Sequence, residues 1–490
     1  MIETLPQFLR TVAERHSSRL AVVEGGNALT YGELENAVNR LAGAMRSAGV
    51  TLGDRVGLML PNGSDFLVSY RAILASGGIA VPLDRRYQQD ELRYFLERCG
   101  ISLVLTDAGF EPLIDQVLAS ASSACRVMLA SEAAQERHAF SPESVVIDPD
   151  APVMYQFTSG STGRPKQVGR SHRQLLRELL LLQTTLDLGP NDRFLGAAPF
   201  SHVNGLVRSL LSSQAAGATL YPVPRFERRA TVELIEKERI TVFIAVPVMF
   251  GVLAEGLYRS RPDLTSLRHV ISSSAPMPVR QNERFREQFG TCVRQLYGST
   301  ETGTISVNLD ADIAGTLESV GTPLPDIEIR VLDEQHQPVA PGVTGEVAVR
   351  GASIFGGYLD GDEVNRGAFH EGFFLTGDLG KLDEQGRLTL TGRLKFLINR
   401  AGFKVDPWEI EQLLLEHPLV AEAVVVGVPT AYGDERVKAI VVPKGLLQPK
   451  DIVDHCRGRI ADFKVPSVVE FRDSLPKSPT GKVRREQLTG

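Results

Sequence analysis

Between residues 31 and 273 the chain repeats one rhythm: a short apolar run, a turn, an amphipathic stretch, then another apolar run. Residues 31–48 place Leu34, Val38, Leu41 and Met45 three to four positions apart, the spacing of one helix face. Gly53-Asp54 then turns into residues 55–60, a short apolar run that suits a buried strand. Residues 66–75 read as helix, 79–83 as strand, 91–98 as helix and 103–106 as strand. The rhythm returns at 232–239, 241–245 and 269–273. Such alternation implies parallel sheets covered by helices, an α/β architecture. From about Ile327 it gives way to short alternating strands (IEIRVLD, GEVAVRG, RLTLTG) with Gly-rich turns, so a small β-rich subdomain is expected. From Lys395 the pattern is a helix at Pro407–Leu415, strands at 421–428 and 438–442, and a helix at 451–460. The expected organisation is a large N-terminal domain, 1–394, and a small α+β C-terminal domain, 395–490.

With 490 residues the chain has ample length to bury a core. Its net charge of −6 argues against a nucleic-acid partner. The charge is uneven: residues 395–490 hold 15 Lys+Arg against 13 Asp+Glu, so the acid surplus lies before them and the tail suits an anionic ligand. Cys99, Cys125, Cys292 and Cys456 are scattered, with neither zinc spacing nor a disulfide framework. No signal-like apolar region opens the chain, and no run reaches the roughly 18 apolar residues of a membrane span. A cytoplasmic protein without membrane insertion is expected.

Four segments carry chemistry. In the first, Thr158, Ser159, Gly160, Ser161, Thr162, Gly163 and Lys166 (TSGSTGRPK, 158–166) combine hydroxyls, glycines that let backbone N–H groups approach an anion, and a cation. The Lys follows Pro and no Ser or Thr follows it, so this is not a Walker A loop; a solvated Gly/Ser turn is the plainer alternative. Second, Tyr297, Gly298, Ser299, Thr300 and Glu301 offer an aromatic face and a carboxylate able to hold a metal, or a simple helix start. Third, Asp378 in LTGDLG suits a ribose, or a turn. Last, Lys482 in PKSPTGKVRR lies on what reads as a mobile basic arm, its alternative being a solvated terminus.

Taken in order, LTYGEL (29–34), TSGSTGRPK (158–166), YGSTE (297–301), TGD (376–378), GRLKFLINRAGFKVDPWEIE (392–411) and PKSPTGK (476–482) resemble the adenylate-forming superfamily. That group includes acyl- and aryl-CoA ligases, luciferases and peptide-synthetase adenylation domains, and the match spans nearly the whole chain. The resemblance implies an AMP-forming acid–thiol ligase that uses ATP and Mg²⁺ and transfers the acyl group to CoA. The alternative thiol is a carrier-protein phosphopantetheine arm. By the same resemblance, Ser159 to Lys166 would wrap the ATP phosphates, and Ser273, Ser274, Ala275 and Pro276 would border the adenine. Tyr297 and Gly298 would lie against the base, Thr300 and Glu301 would hold the α-phosphate and Mg²⁺, and Asp378 and Arg393 would take the ribose. Lys482 would bridge the carboxylate and the α-phosphate, Lys395 would be the hinge, and Gly402 would line the thiol tunnel. Gln167, Ser273 and Ser274 depart from the family's glycines, and the two serines are expected to narrow the acyl pocket. A catalytically silent homologue would lack Lys482, Glu301 or Asp378; all three are present.

Pro199 to Leu206 (PFSHVNGL) resembles the acyl-pocket segment of CoA ligases. It contains no acid to pair with an α-ammonium, which disfavours an amino acid. His202 would gate the carboxylate, or be a core histidine. Val203, Asn204, Val248, Met249, Phe250 and Ser272 are expected to line a pocket for an aromatic or short to medium acyl acid. Arg208 is expected at the surface or in a salt bridge, the alternative being a partner for a second substrate carboxylate. Arg400, Lys404, Arg436 and Lys438 are candidates for the nucleotide phosphates of CoA.

Overall fold

The computed structural model describes residues 3–120, 125–134, 140–158, 166–400, 403–430, 435–478 and 481–488. The expected alternation builds two helix-covered sheets. The first has six strands, in the order Arg126–Leu129, Ile101–Thr106, Arg55–Met59, Ile79–Pro82, Pro152–Thr158, Lys166–Ser171. All its pairs are parallel except the last, a hairpin that sets Thr158 opposite Lys166. Helices fit their sequence signals closely. Tyr31–Ser47 opens with a reciprocal Thr30/Glu33 cap and turns Leu34, Val38, Leu41 and Met45 into the core.

The second sheet has fourteen strands. Leu20–Glu24, Thr219–Pro222, Arg193–Gly196, Val242–Ala245, His269–Ser272 and Arg294–Ser299 run parallel through its middle. At Gly303–Val307 the pairing turns antiparallel. The strands Ser319–Pro323, Leu388–Arg393, Phe373–Leu382, Gly345–Arg350 and Glu328–Leu332 continue the same sheet. The β-rich segment expected after Ile327 is therefore an extension of the large sheet. Its alternating pattern reports antiparallel pairing with one wetter face.

The smaller C-terminal domain pairs Val420–Pro429 with Glu435–Pro443 and adds Val468–Phe471, with helices Pro407–Leu415 and Pro449–Cys456 against the sheet. The second helix stops short of residue 460; Gly458, at φ 71°, carries the chain out of it. Residues 204–211, which gave no periodic signal, form a buried π-helix, Asn204–Leu211. A Cβ at Gly205 would lie 2.3 Å from the Pro199 carbonyl oxygen, so only glycine lets this helix pack on the preceding loop. Short π segments within helices are frequent at functional sites.

Candidate active site

The cleft lies at the carboxyl ends of the parallel strands, where α/β sheets bind ligands. One wall is Asp378, buried near the middle of Phe373–Leu382 and directly opposite Arg393 of the next strand. Arg393 Nε donates to Asp378 Oδ1, and the Tyr297 hydroxyl donates to Oδ2 at 2.6 Å. Burial, reinforced by the Asp378 charge, pushes the Tyr297 hydroxyl far above its usual range and keeps it a donor. An ionised carboxylate offers about four lone-pair sites, so Asp378 retains acceptor capacity for two further hydroxyls. Glu346 receives the Gly377 N–H at 3.0 Å and so fixes the turn that aims Asp378.

Glu301 is buried beside this wall. The Tyr358 hydroxyl donates to its Oε1 at 3.0 Å, and Lys166 Nζ stands 4.4 Å from the Tyr358 ring centre. Lys166, the last residue of the hydroxyl- and glycine-rich segment, thus lies near Glu301. Gln167 is tied down on both sides: its N–H donates to Asp360 and its amide to Cys99. Ser159, Gly160, Ser161, Thr162 and Gly163 lie outside the described residues, as does Gly402.

Lys482 enters from the C-terminal domain. The arm expected to be mobile is held: Ser478 N–H donates to the Lys482 carbonyl at 2.7 Å, Arg484 N–H to the Pro476 carbonyl at 2.8 Å, and Leu475 and Leu488 are buried. Lys477 and Arg485 are neutralised within the domain by Glu422 and Glu411. Among the described residues no carboxylate lies within ion-pair distance of Lys482. Its side chain is exposed, and the charges of Arg393, Lys395, Asp378 and Glu301 lie within electrostatic range of its ammonium. Desolvation, with Arg393 and Lys395 nearby, outweighs the attraction of Asp378 and Glu301 and lowers its pKa to about 8. Lys395 lies in the short 3-10 turn Leu394–Phe396, with its ammonium over the Phe396 ring.

The residues expected to meet the acid gather around the π-helix. His202 Nε2 is 3.1 Å from Asp84 Oδ2, and Asn62 receives the Phe200 N–H while donating to the Gly196 and Ala198 carbonyls. Burial favours the neutral form of Asp84, but hydrogen bonds from His202 and Arg86 hold the carboxyl well below the usual range. Val203, Asn204 and Ser272 are buried here, and Asn204 Nδ2 donates to the Ala245 carbonyl. Val248 is exposed at the cleft mouth, where a Cβ on Gly481 would lie 3.1 Å from it, and Met249 packs against the core beneath. Phe250 is a correction: it is fully buried against Phe243 and Phe285 and lines nothing.

Arg208 is a second correction. It is buried, and among the described residues no acid lies within ion-pair distance of it. It is 2% exposed, donating from Nη1 to Ser273 Oγ at 2.7 Å and from Nε to Thr304 Oγ1 at 3.1 Å. Ser273 anchors this guanidinium, and Ser274 takes the left-handed φ of 76° just beyond it. Lys438 is a third: it is buried and paired with Glu470, while Arg400 is held by the Phe463 and Val465 carbonyls. Asp84, Asn62, Glu178 and Tyr358 were missed. Only Asp84 had a legible signal, a carboxylate just after a parallel strand's end.

The family comparisons agree with this geometry. Residues 9–359 match the AMP-binding enzyme model and 409–482 match the AMP-binding enzyme C-terminal domain. The chain belongs to the AMP-binding enzyme family. It is 32% identical to an oxalate–CoA ligase of Arabidopsis thaliana over 99% of this chain and 97% of that protein. ATP-bound MatB from Rhodopseudomonas palustris, 29% identical, superposes with a TM-score of 0.92 over 99% of this chain and 98% of that one. The apo form of MatB, with the same identity and coverage, gives 0.78. An o-succinylbenzoate CoA synthetase from Bacillus subtilis, solved with ATP and magnesium, is 28% identical over 99% of both chains, TM-score 0.89. The enzyme is an AMP-forming acid–CoA ligase, activating an acid as its adenylate before thioester formation. Among the described residues no helix is long and apolar enough to cross a membrane.

The site fits Mg²⁺. Its candidate donors are hard oxygens, and among the described residues no cluster of three ligating side chains exists, so Glu301 would share the ion with ligand phosphates and water. When bound, the ion would neutralise phosphate charge.

Proposed function

We propose that the chain activates a small carboxylic acid through the named residues, in a cytoplasmic setting and with Lys395 marking the division between residues 1–394 and 395–490. A carboxylate oxygen attacks the ATP α-phosphorus; the new P–O bond forms as the bond to the β-phosphate bridge breaks, and pyrophosphate leaves. Lys482 neutralises charge between the two approaching anions, the electrostatic part of the barrier. Asp378 and Arg393 hold the ribose and Tyr297 the base beside Ser273 to Pro276. Lys166 with the preceding Thr158–Gly163 segment takes the phosphates, and His202, held by Asp84, sits beside the reacting carboxylate. CoA then attacks the carbonyl carbon and AMP leaves.

The observation that carries this is that Lys482 stands within electrostatic range of Arg393, Lys395, Asp378 and Glu301, supported by the greater likeness to ATP-bound than to apo MatB. The experiment is pyrophosphate release over a panel of aryl, short-chain, medium-chain and dicarboxylic acids, with and without CoA. Turnover that requires CoA supports the proposal. Activation that stalls at the adenylate with CoA present would favour a carrier-protein phosphopantetheine arm instead.

A further inference from the structure

Arg170, Glu178 and Arg208 form a chain of buried groups: each is at most 2% exposed. Glu178 pairs directly with Arg170 at 3.0 Å. It reaches Arg208 only through Thr304, whose hydroxyl donates to Glu178 Oε1 and accepts from Arg208 Nε. One carboxylate thus serves two guanidinium groups, and among the described residues no acid lies within ion-pair distance of Arg208. A guanidinium has five N–H donors. Arg208 uses three, toward Thr304 Oγ1, Ser273 Oγ and the Gly303 carbonyl. Burial is the main reason its pKa falls to about 10, with Glu178 pulling the other way.

This surplus charge adjoins Asn204 and Ser273, next to the residues proposed to meet the acid. Arg208 follows Asn204 by one helical turn, and a Cβ on Gly298 would lie 2.6 Å from Nη2. Asn204 Oδ1 and Ser272 Oγ are buried with no hydrogen-bond partner. An apolar acyl tail pressed against these groups would leave the Arg208 charge and the Ser272 hydroxyl donor without a partner, which is unfavourable in a dry pocket. A short acid ending in a second oxyanion would neutralise the charge and accept the spare N–H bonds.

We propose that Arg208 makes this enzyme selective for short acids carrying a second anionic group, a carboxylate or sulfonate, at the end remote from the reacting carboxylate. The inference rests on the adenylation reaction proposed above and deepens it. The test is ATP–pyrophosphate exchange with malonate, succinate and sulfoacetate against acetate, propionate and butyrate, in the wild type and in Arg208→Met and Arg208→Lys, with melting curves on each variant. Wild-type kcat/KM should favour the two-anion acids by roughly 10- to 100-fold, the range of a charge-assisted hydrogen bond. Arg208→Met should collapse that ratio, and Arg208→Lys should restore part of it. Should the variants not fold, the wild-type ratio decides alone. Equal use of mono- and two-anion acids, or a ratio unchanged in a folded Arg208→Met, would overturn the proposal and leave the adenylation reaction standing. No exchange with any acid, aryl and medium-chain acids included, would overturn both.

Discussion

His202 Nε2 lies 3.1 Å from Asp84 Oδ2, a bond between a loop before the π-helix and a residue 118 positions earlier. Asp84 also accepts from Arg86, through its N–H, Nε and Nη2, so one carboxylate fixes the ring of the residue proposed to meet the substrate carboxylate. Asp84→Asn keeps the shape and removes the charge. Acid-dependent exchange should lose about tenfold or more in kcat/KM, as expected for a charge-assisted bond, through a higher KM for the acid. The KM for ATP should not change. A shift in both KM values would place Asp84 in general folding instead.

Lys482→Ala should lower adenylation by roughly 10²- to 10³-fold, the loss typical of one transition-state electrostatic donor, while a supplied acyl-adenylate still reacts with CoA. Equal loss of both half-reactions would contradict the assignment.

The same ammonium gives a pH signature. Its pKa is lowered to about 8, so the charged form is present below that value and lost above it. Because kcat/KM reports the free enzyme, the profile for adenylation should fall above about pH 8, and Lys482→Arg should move the fall to higher pH. A profile flat from pH 7 to 10 would contradict this.

Glu178 is fully buried and accepts from Arg170 and from both the N–H and hydroxyl of Thr304. Glu178→Gln leaves two buried guanidinium groups uncompensated, and breaking a buried pair this way costs about 3–5 kcal/mol. Urea denaturation should show the loss. A change below about 1 kcal/mol would mean that solvent reaches the cluster.

His172 begins the helix His172–Thr185, is 2% exposed, and has its pKa lowered to about 4 by burial. Unfolded, it titrates near 6.5. Its contribution is complete above pH 6.5 and is lost as pH falls toward 4, because the unfolded chain gains the proton first. The span corresponds to roughly 3 kcal/mol. His172→Phe should flatten stability over that window. An unchanged slope would assign the acid sensitivity to other groups.

The sheets were legible because parallel strands buried on both faces leave continuous apolar runs, as at Arg55–Met59, and because helix caps such as Thr30/Glu33 are local. Asp378, Glu301 and Lys482 were recognisable from motif order alone. Their joining was not: Asp378 meets Tyr297 and Arg393 through strand register, and Lys482 reaches the cleft only through the placement of a second domain. The π-helix carries no 3.6-residue period, so its burial and that of Arg208 had no signature. Nor could Phe250 be sorted from the pocket, since core and lining aromatics look alike in sequence.

The most direct test uses an acid labelled with ¹⁸O in its carboxylate, turned over with ATP and CoA and analysed by mass spectrometry. Attack of the carboxylate on the α-phosphorus, followed by thioester formation, predicts one ¹⁸O atom in each AMP and none in pyrophosphate. Label in inorganic phosphate, with ADP as the nucleotide product, would contradict the account.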